Sequence, residues 1–179
     1  MMYRWHTYWV RFARARQGIA AVEFVLILPL ITLLLFGTID IGRLLFDYQA
    51  VSKSVRDATR YLTRIPEATL WDGVSSCNDP NGAGPIAEAR NLALRGTIDT
   101  TDPYLLSFWT DPTTVTVSAS CTANTADPKV YQGFFTLKDQ IPSITVSATV
   151  SFPFLNGWLL GMGTTLTFTV DHEEVHYGQ

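Results

Sequence analysis

The sequence predicts an α+β protein in which one long N-terminal helix is packed on a small head domain with an antiparallel β-sheet. Three observations predict it. Residues 19–39 carry no charge except Glu23, apolar residues then recur at three- and four-residue steps as far as Leu62, and three later segments alternate or are rich in β-branched residues. The implied boundaries are a leader at 1–18, a membrane span at 19–39, an amphipathic continuation at 40–65 and a head at 66–179.

The first element explains the organisation of the rest. A basic stretch ends in Gln17-Gly18, and a run of 21 residues, 19–39, follows. At about 1.5 Å per residue such a helix crosses a hydrocarbon layer of about 30 Å. A secretory signal peptide has a shorter apolar core and then a small-residue cleavage site, which this run lacks, so the run is retained and any removed piece precedes it. The charges before the run are Arg4, Arg11, Arg14 and Arg16, and the first after it are Asp40 and Arg43. The positive-inside rule therefore puts the N-terminus in the cytoplasm and everything after residue 39 outside, the topology of a single-pass protein of the cytoplasmic (inner) membrane.

Glu23 is the residue that needs a reason, because a carboxylate inside a membrane helix is costly and functional by default. A cut after Gly18 would give Ile19 a charged amine one helical turn from Glu23, and an opposite charge at that distance stabilises the carboxylate. A neighbouring subunit can offer the same amine. The plainer alternative is that Glu23 marks the inner edge of an ordinary signal anchor. Pro29 removes one helical hydrogen bond, a defect tolerated in membrane helices.

Beyond the span, Ile41, Leu44, Leu45, Tyr48, Val51, Val55, Ala58 and Leu62 form one helical stripe, with most charges elsewhere. Pro66 disfavours helical geometry at Ile65 and ends the helix. Residues 20–64 would extend about 68 Å, far more than a bilayer needs. The surplus is free to cover a sheet.

In the head, residues 71–85 are rich in Gly, Asp, Asn and Ser and read as loop, while 85–95 (PIAEARNLALR) starts with a proline suited to a first helical turn and stops at Gly96. Strands are expected at 113–120 (TTVTVSAS), 143–152 (SITVSATVSF) and 164–170 (TTLTFTV). On the last, Leu166, Phe168 and Val170 alternate with Thr165, Thr167 and Thr169, as for a sheet covered on one side. Asp99, Asp102 and Asp111 suit turns before Pro103 and Pro112. Trp71, Trp109 and Trp158 read as core before partner surface. Phe152, Phe154, Leu155 and Trp158 to Leu160 form an apolar segment that could contact another subunit.

Cys77 and Cys121 are the chain's two cysteines, and the topology puts both in an oxidising compartment, so a disulfide between them is expected. No C-x-x-C pair suggests a metal site. His172, Glu173 and His176 spell H-E-x-x-H, a zinc-peptidase signature when carried on a helix. Here it follows a strand and three residues from the end of the sequence. On a continued strand the two histidines stand about 13 Å apart and cannot share an ion, so a solvated charged tail is the expectation.

Composition limits the partners. Without residues 1–18 the chain holds nine basic against sixteen acidic residues, a net charge of −7, and has no clustered Lys and Arg for nucleic acid. No phosphate-binding loop or G-x-S-x-G appears. Neither an enzymatic activity nor a cofactor is indicated, and the lipid bilayer is the partner that the residues themselves imply.

The string GIAAVEFVLILPLITLLLFGTIDIGRLLFDYQAVSKSVRDATRY resembles the N-terminal region of TadE-like minor pilins (pseudopilins) of the Tad, or Flp, type IV pilus system. The resemblance rests on a G-x-x-x-x-E-[YF] motif at Gly18, Glu23 and Phe24, a Leu28-Pro29-Leu30 step, an Asp40-x-Gly42-Arg43 step and a helix ending near Arg60-Tyr61. It covers about a quarter of the chain. It implies a pilin-like fold, cleavage between Gly18 and Ile19 by a prepilin peptidase, Glu23 and Phe24 as the processing and assembly motif, and a role in assembling a pilus used for adhesion. Implied partners are the peptidase, other pilins and the membrane platform of the pilus. Two positions depart from common patterns: Ile19 stands where major type IV pilins carry phenylalanine, and Phe24 where many Tad pilins carry tyrosine. The alternative function is an uncleaved, membrane-anchored scaffold or adhesive module.

Overall fold

The structure, a computed structural model, describes residues 18–71, 77–126, 128–154 and 163–177. Residues 1–17 of the expected leader, the middle of the 71–85 loop, and the segment containing Leu155 and Trp158 lie outside the described residues. Two compact units divide between Gly42 and Arg43. One helix, α1 (Ile19–Leu62, 44 residues), contributes to both.

From Ile19 to Ile39 α1 is apolar apart from Glu23 and its side chains are exposed or half-buried, with Phe24 at 59%, Leu26 at 75% and Leu30 at 60%, whereas Asp40 just beyond is buried. The helix is long and apolar enough to cross a membrane. Pro29 sits inside it. Thr32 and Thr38, the hydroxyls of this stretch, donate to the carbonyls of Leu28 (2.7 Å) and Leu35 (2.8 Å), so neither presents an unpaired donor to its surroundings.

The second unit is an α+β head. It contains the rest of α1, a one-turn α2 (Glu67–Leu70), α3 (Ala83–Arg95), and strands β1 (Val115–Ala123), β2 (Gln140–Pro153) and β3 (Thr165–Val175). The strands form an antiparallel sheet in the order β1-β2-β3, with Val146 of β2 opposite Val117 on one side and His172 on the other. On β2, Ile144, Val146, Ala148, Val150 and Phe152 are fully buried, and Thr149 and Ser151 between the last three are exposed. This is the alternation of a sheet covered on one face. Val51, Val55, Ala58 and Leu62 of α1 and Ala89, Ala93 and Leu94 of α3 join the β2 residues in one core. The long helix does supply the cover, together with α3.

The helix stops at Leu62, three residues before the expected end. There the bonding tightens to i→i+3: Arg64 N donates to Tyr61 O and Ile65 N to Leu62 O, each 3.2 Å. After Pro66 the chain turns into α2, which seats Leu70 and Trp71 with no exposure. Gly82 follows closely, its N–H on Leu70 O at 2.9 Å; a Cβ there would lie 2.4 Å from Thr69 O, so no side chain fits. α3 begins two residues before Pro85, which falls in the first turn where no N–H is required, and ends at Gly96 with φ 76°, a left-handed C-cap. The Tyr61 hydroxyl donates to Glu88, tying α3 to α1; burial first, then Glu88, pushes the tyrosine up to about 12.

The three aspartates occupy turns as expected. Asp99 Oδ1 accepts from Thr101 N (2.9 Å), Asp102 Oδ2 from the Thr97 hydroxyl (2.7 Å), and Asp111 Oδ1 from Thr113 N (2.8 Å). The Thr101 N–H and hydroxyl at Asp99, and the Thr113 hydroxyl (2.7 Å) followed by its N–H at Asp111, hold those two carboxyls below the usual range. Between β1 and β2 the fully buried Asn124 donates through Nδ2 to the carbonyls of Tyr131, Phe135 and Lys138 at 3.0 to 3.1 Å and accepts from Tyr131 N at 3.0 Å, fixing a loop that has little apolar core of its own. Trp109 is in the core, its indole N–H on the Thr114 hydroxyl at 2.8 Å. Phe152 is fully buried in edge contact with Phe108 and Phe154, so within the expected apolar contact segment it serves the core.

Cys77 and Cys121 are bonded, 44 residues apart in sequence, and tie the segment before α3 to β1. Closing a loop of that length restricts the unfolded chain by about 4 kcal/mol in the chain-entropy account. Cys77→Ser and Cys121→Ser are each expected to lower the stability of the head by about 3–4 kcal/mol, read as the urea midpoint, with the double variant no worse than either single one. Fully additive losses would mean that the two positions act independently.

Candidate processing site and assembly helix

Gly18 precedes the first turn of α1, and Ile19, Glu23 and Phe24 occupy its first turn and a half. Ile19 and Glu23 are four apart, which stacks them on one face with Cβ atoms about 5–6 Å apart. Ile19 (64%), Phe24 (59%) and Glu23 are all exposed. Among the described residues a Cβ at Gly18 would meet nothing within 4 Å, and its φ lies outside the positive range.

The H-E-x-x-H residues have a structural use that differs from the expected solvated tail. β3 continues through Val175, so the residues alternate between the sheet's faces in place of lining one side of a helix. The inward parity set by Val170 carries on through His172, Glu174 and His176. His172 Nε2 lies 3.0 Å from Glu174 Oε1, and Arg60 of α1 reaches the same oxygen at 3.3 Å. His176 is fully buried: its Nε2 donates to Ile65 O at 2.8 Å, its ring stands edge-on to Trp71 at 4.8 Å, and its backbone N donates to Pro142 O at 2.8 Å. Tyr177 N donates to Thr63 O at 3.2 Å. The end of β3 is thus fastened under the end of α1. Among the described residues no group of three or more His, Cys, Asp or Glu side chains is placed to hold a metal ion. Sequence reasoning missed this role of His176, although the parity of β3 carried the signal.

Nearby, Asp57, Arg60, Tyr61, Arg64 and Ile65 line an open depression of about 350 Å³. Arg60 is engaged by Glu174 and Tyr61 by Glu88.

Residues 18–60 match the family model described as TadE-like protein. The chain is similar to that family from the glycine before α1 almost to the helix end, a match that suggests a protein associated with a Tad pilus. No curated protein and no solved structure matches it.

Burial pushes His176 below the ordinary histidine value, partly opposed by the Ile65 carbonyl and Glu67, while Lys138 adds to the depression. Its Nδ1 is buried with no partner among the described residues, so protonation would enclose an unpaired N–H. A depressed folded value means that the unfolded chain binds the proton first: the contribution is complete above about pH 6.5 and is lost as pH falls below it, at up to about 1.4 kcal/mol per pH unit. Melting of the chain in detergent is expected to drop between pH 7 and 5, with a flatter profile for His176→Gln, which starts lower at pH 7. Identical slopes would remove this role for His176.

Proposed function

We propose that the chain is a minor pilin of a Tad-type pilus: inserted once in the cytoplasmic membrane, its N-terminus in the cytoplasm and its head outside, cut by a prepilin peptidase between Gly18 and Ile19, and packed through α1 into or beneath the pilus. In this reading residues 1–18 are the leader, 19–39 the span, 40–65 the continuing helix and 66–179 the head. The observation that carries it is the TadE-like match, which begins at the glycine preceding the cut and includes Glu23 and Phe24. Among the described residues a Cβ at Gly18 would meet nothing within 4 Å, so the backbone there is open to close approach by a peptidase.

The chemistry is done on this chain. Hydrolysis of the Gly18–Ile19 bond frees the amine of Ile19, and the helical spacing sets that amine one turn from the Glu23 carboxylate. In a low-dielectric setting each charge lowers the other's cost. A neighbouring subunit's Glu23 can take the same amine, and the apolar side chains around both keep water out of the pair. The head takes no part in the cut.

The test is the N-terminal residue and intact mass of membrane-extracted protein, made with and without an active peptidase. The expected mature chain starts at Ile19 and keeps 161 of 179 residues, only when the peptidase is present. Gly18→Val is expected to remain full length. Glu23→Gln is expected to be cut normally but to leave the assembled fraction reduced about tenfold, the loss of one partly buried charge pair. A chain that keeps its leader in every background would instead be a signal-anchored scaffold.

A further inference from the structure

The two edges of the sheet are finished differently. On β1, Asp79 Oδ1 accepts from Ala119 N at 3.0 Å, Arg90 Nε donates to Val115 O at 3.1 Å, and the disulfide is anchored at Cys121. That edge is occupied by the chain's own groups. On β3, among the described residues, no backbone group outside the sheet bonds to the strand; the one approach is the Thr59 hydroxyl, 3.4 Å from His172 O. Beyond Asp171 the strand carries charges and lies beside the end of α1. The stretch 165–170, TLTFTV, has no charge, no proline and no glycine, and is strongly β-forming. Natural sheets normally guard an edge of that kind, since its unpaired N–H and C=O groups template another strand.

An apolar surface adjoins the open stretch. Tyr48 of α1 packs on Phe168 with ring centroids 5.6 Å apart. Leu45 lies one turn before Tyr48 on the same helix face, and Leu166 two residues before Phe168 on the same strand face; they are 56% and 41% exposed. The other side of the strand presents Thr165, Thr167 and Thr169, of which Thr167 and Thr169 meet Ser151 and Thr149 hydroxyls across the pair at 3.1 and 3.3 Å. A strand added here meets apolar side chains on one face and hydroxyls on the other.

We propose that the β3 edge at 165–170 receives an extended segment of a different polypeptide, one alternating apolar and hydroxyl side chains and carrying a basic residue toward Asp171. Sheet continuation would supply the backbone bonds, the alternation would fix which face is which, and the basic residue would set the register. A second copy is the poorer occupant. The second half of α1 runs in the same direction as β3, from Tyr48 beside Phe168 to Thr63 beside Tyr177. Antiparallel pairing of two β3 edges would therefore put Arg43, where the chain enters this unit, at opposite ends of the two copies. Chains anchored in one membrane do not meet in that way; this exclusion rests on the membrane-anchored reading above, whose own test is the N-terminal analysis.

The test uses the full chain in detergent and a fluorescent peptide of alternating Thr and Val flanked by lysines. Anisotropy is expected to show saturable binding, weakened about tenfold or more by N-methylating alternate peptide amides, since each step removes backbone bonds. Leu166→Asp, at the exposed rim, is expected to weaken binding similarly, and Leu137→Asp, on the 94% exposed Leu137 of the β1–β2 loop, to leave it unchanged. The proposal fails if the peptide does not bind, if the N-methylated form binds equally well, or if Leu166→Asp has no effect. It also fails if the chain alone forms dimers that Leu166→Asp disperses, which would make a second copy the occupant.

Discussion

A single helix has to be stable in two surroundings. Along residues 19–39 every side chain of α1 is exposed or nearly so and almost all are apolar, so this half is satisfied only where lipid or other apolar helices surround it. Along residues 51–62 the same helix supplies Val51, Val55, Ala58 and Leu62 to the interior of a small protein domain. The backbone can do both because an α-helix satisfies its own N–H and C=O groups, which is also why a helix and not a strand can leave water and enter hydrocarbon without a partner. Glu23 gains meaning from that constraint. A carboxylate in the apolar half is a cost that an opposite charge nearby would offset.

The head follows from the same helix. With one face of the sheet taken by α1 and α3, the three strands need apolar residues on one side only, and their outer positions are largely Ser and Thr: Thr116, Ser118 and Ser120 on β1, Thr149 and Ser151 on β2, Thr165, Thr167 and Thr169 on β3. The core is small, and cross-ties supplement it. The disulfide fastens the segment before α3 to β1, Asn124 organises the loop between β1 and β2, and His176 with Tyr177 fastens the end of β3 to the end of α1. Each tie joins a segment with few apolar contacts of its own to an element that has many, which is where a small domain gains most from a specific bond.

Much of this was legible in the sequence because the signals were local and periodic. The charge gap at 19–39, the stripe through Leu62, the alternation of β2 and the glycine after Arg95 each depend on neighbours a few residues away. What was not legible depended on distant partners. The pattern marks His176 as inward-facing by parity, but only the fold brings Trp71 and the Ile65 carbonyl to it; the sequence alone read the same residues as a charged tail. Asn124 looks like an ordinary loop residue until three carbonyls from 131 to 138 converge on it. The one-turn α2 is shorter than any helix that propensity could support alone, and it exists because Leu70 and Trp71 have a core to enter. The Gly18-to-Glu23 spacing is a local signal of the same kind as the charge gap, and among the described residues a Cβ at Gly18 would meet nothing within 4 Å.

The central claim is that α1 is held in its two halves by different surroundings. Hydrogen exchange along α1, measured on the full chain in lipid vesicles as urea is raised, tests it most directly. Separate behaviour is expected: amides at 51–62 lose protection with the head, while those at 24–39 remain protected as long as the bilayer is intact. Loss of protection in both halves at one urea concentration, or free exchange at 24–39 in intact vesicles, would contradict it.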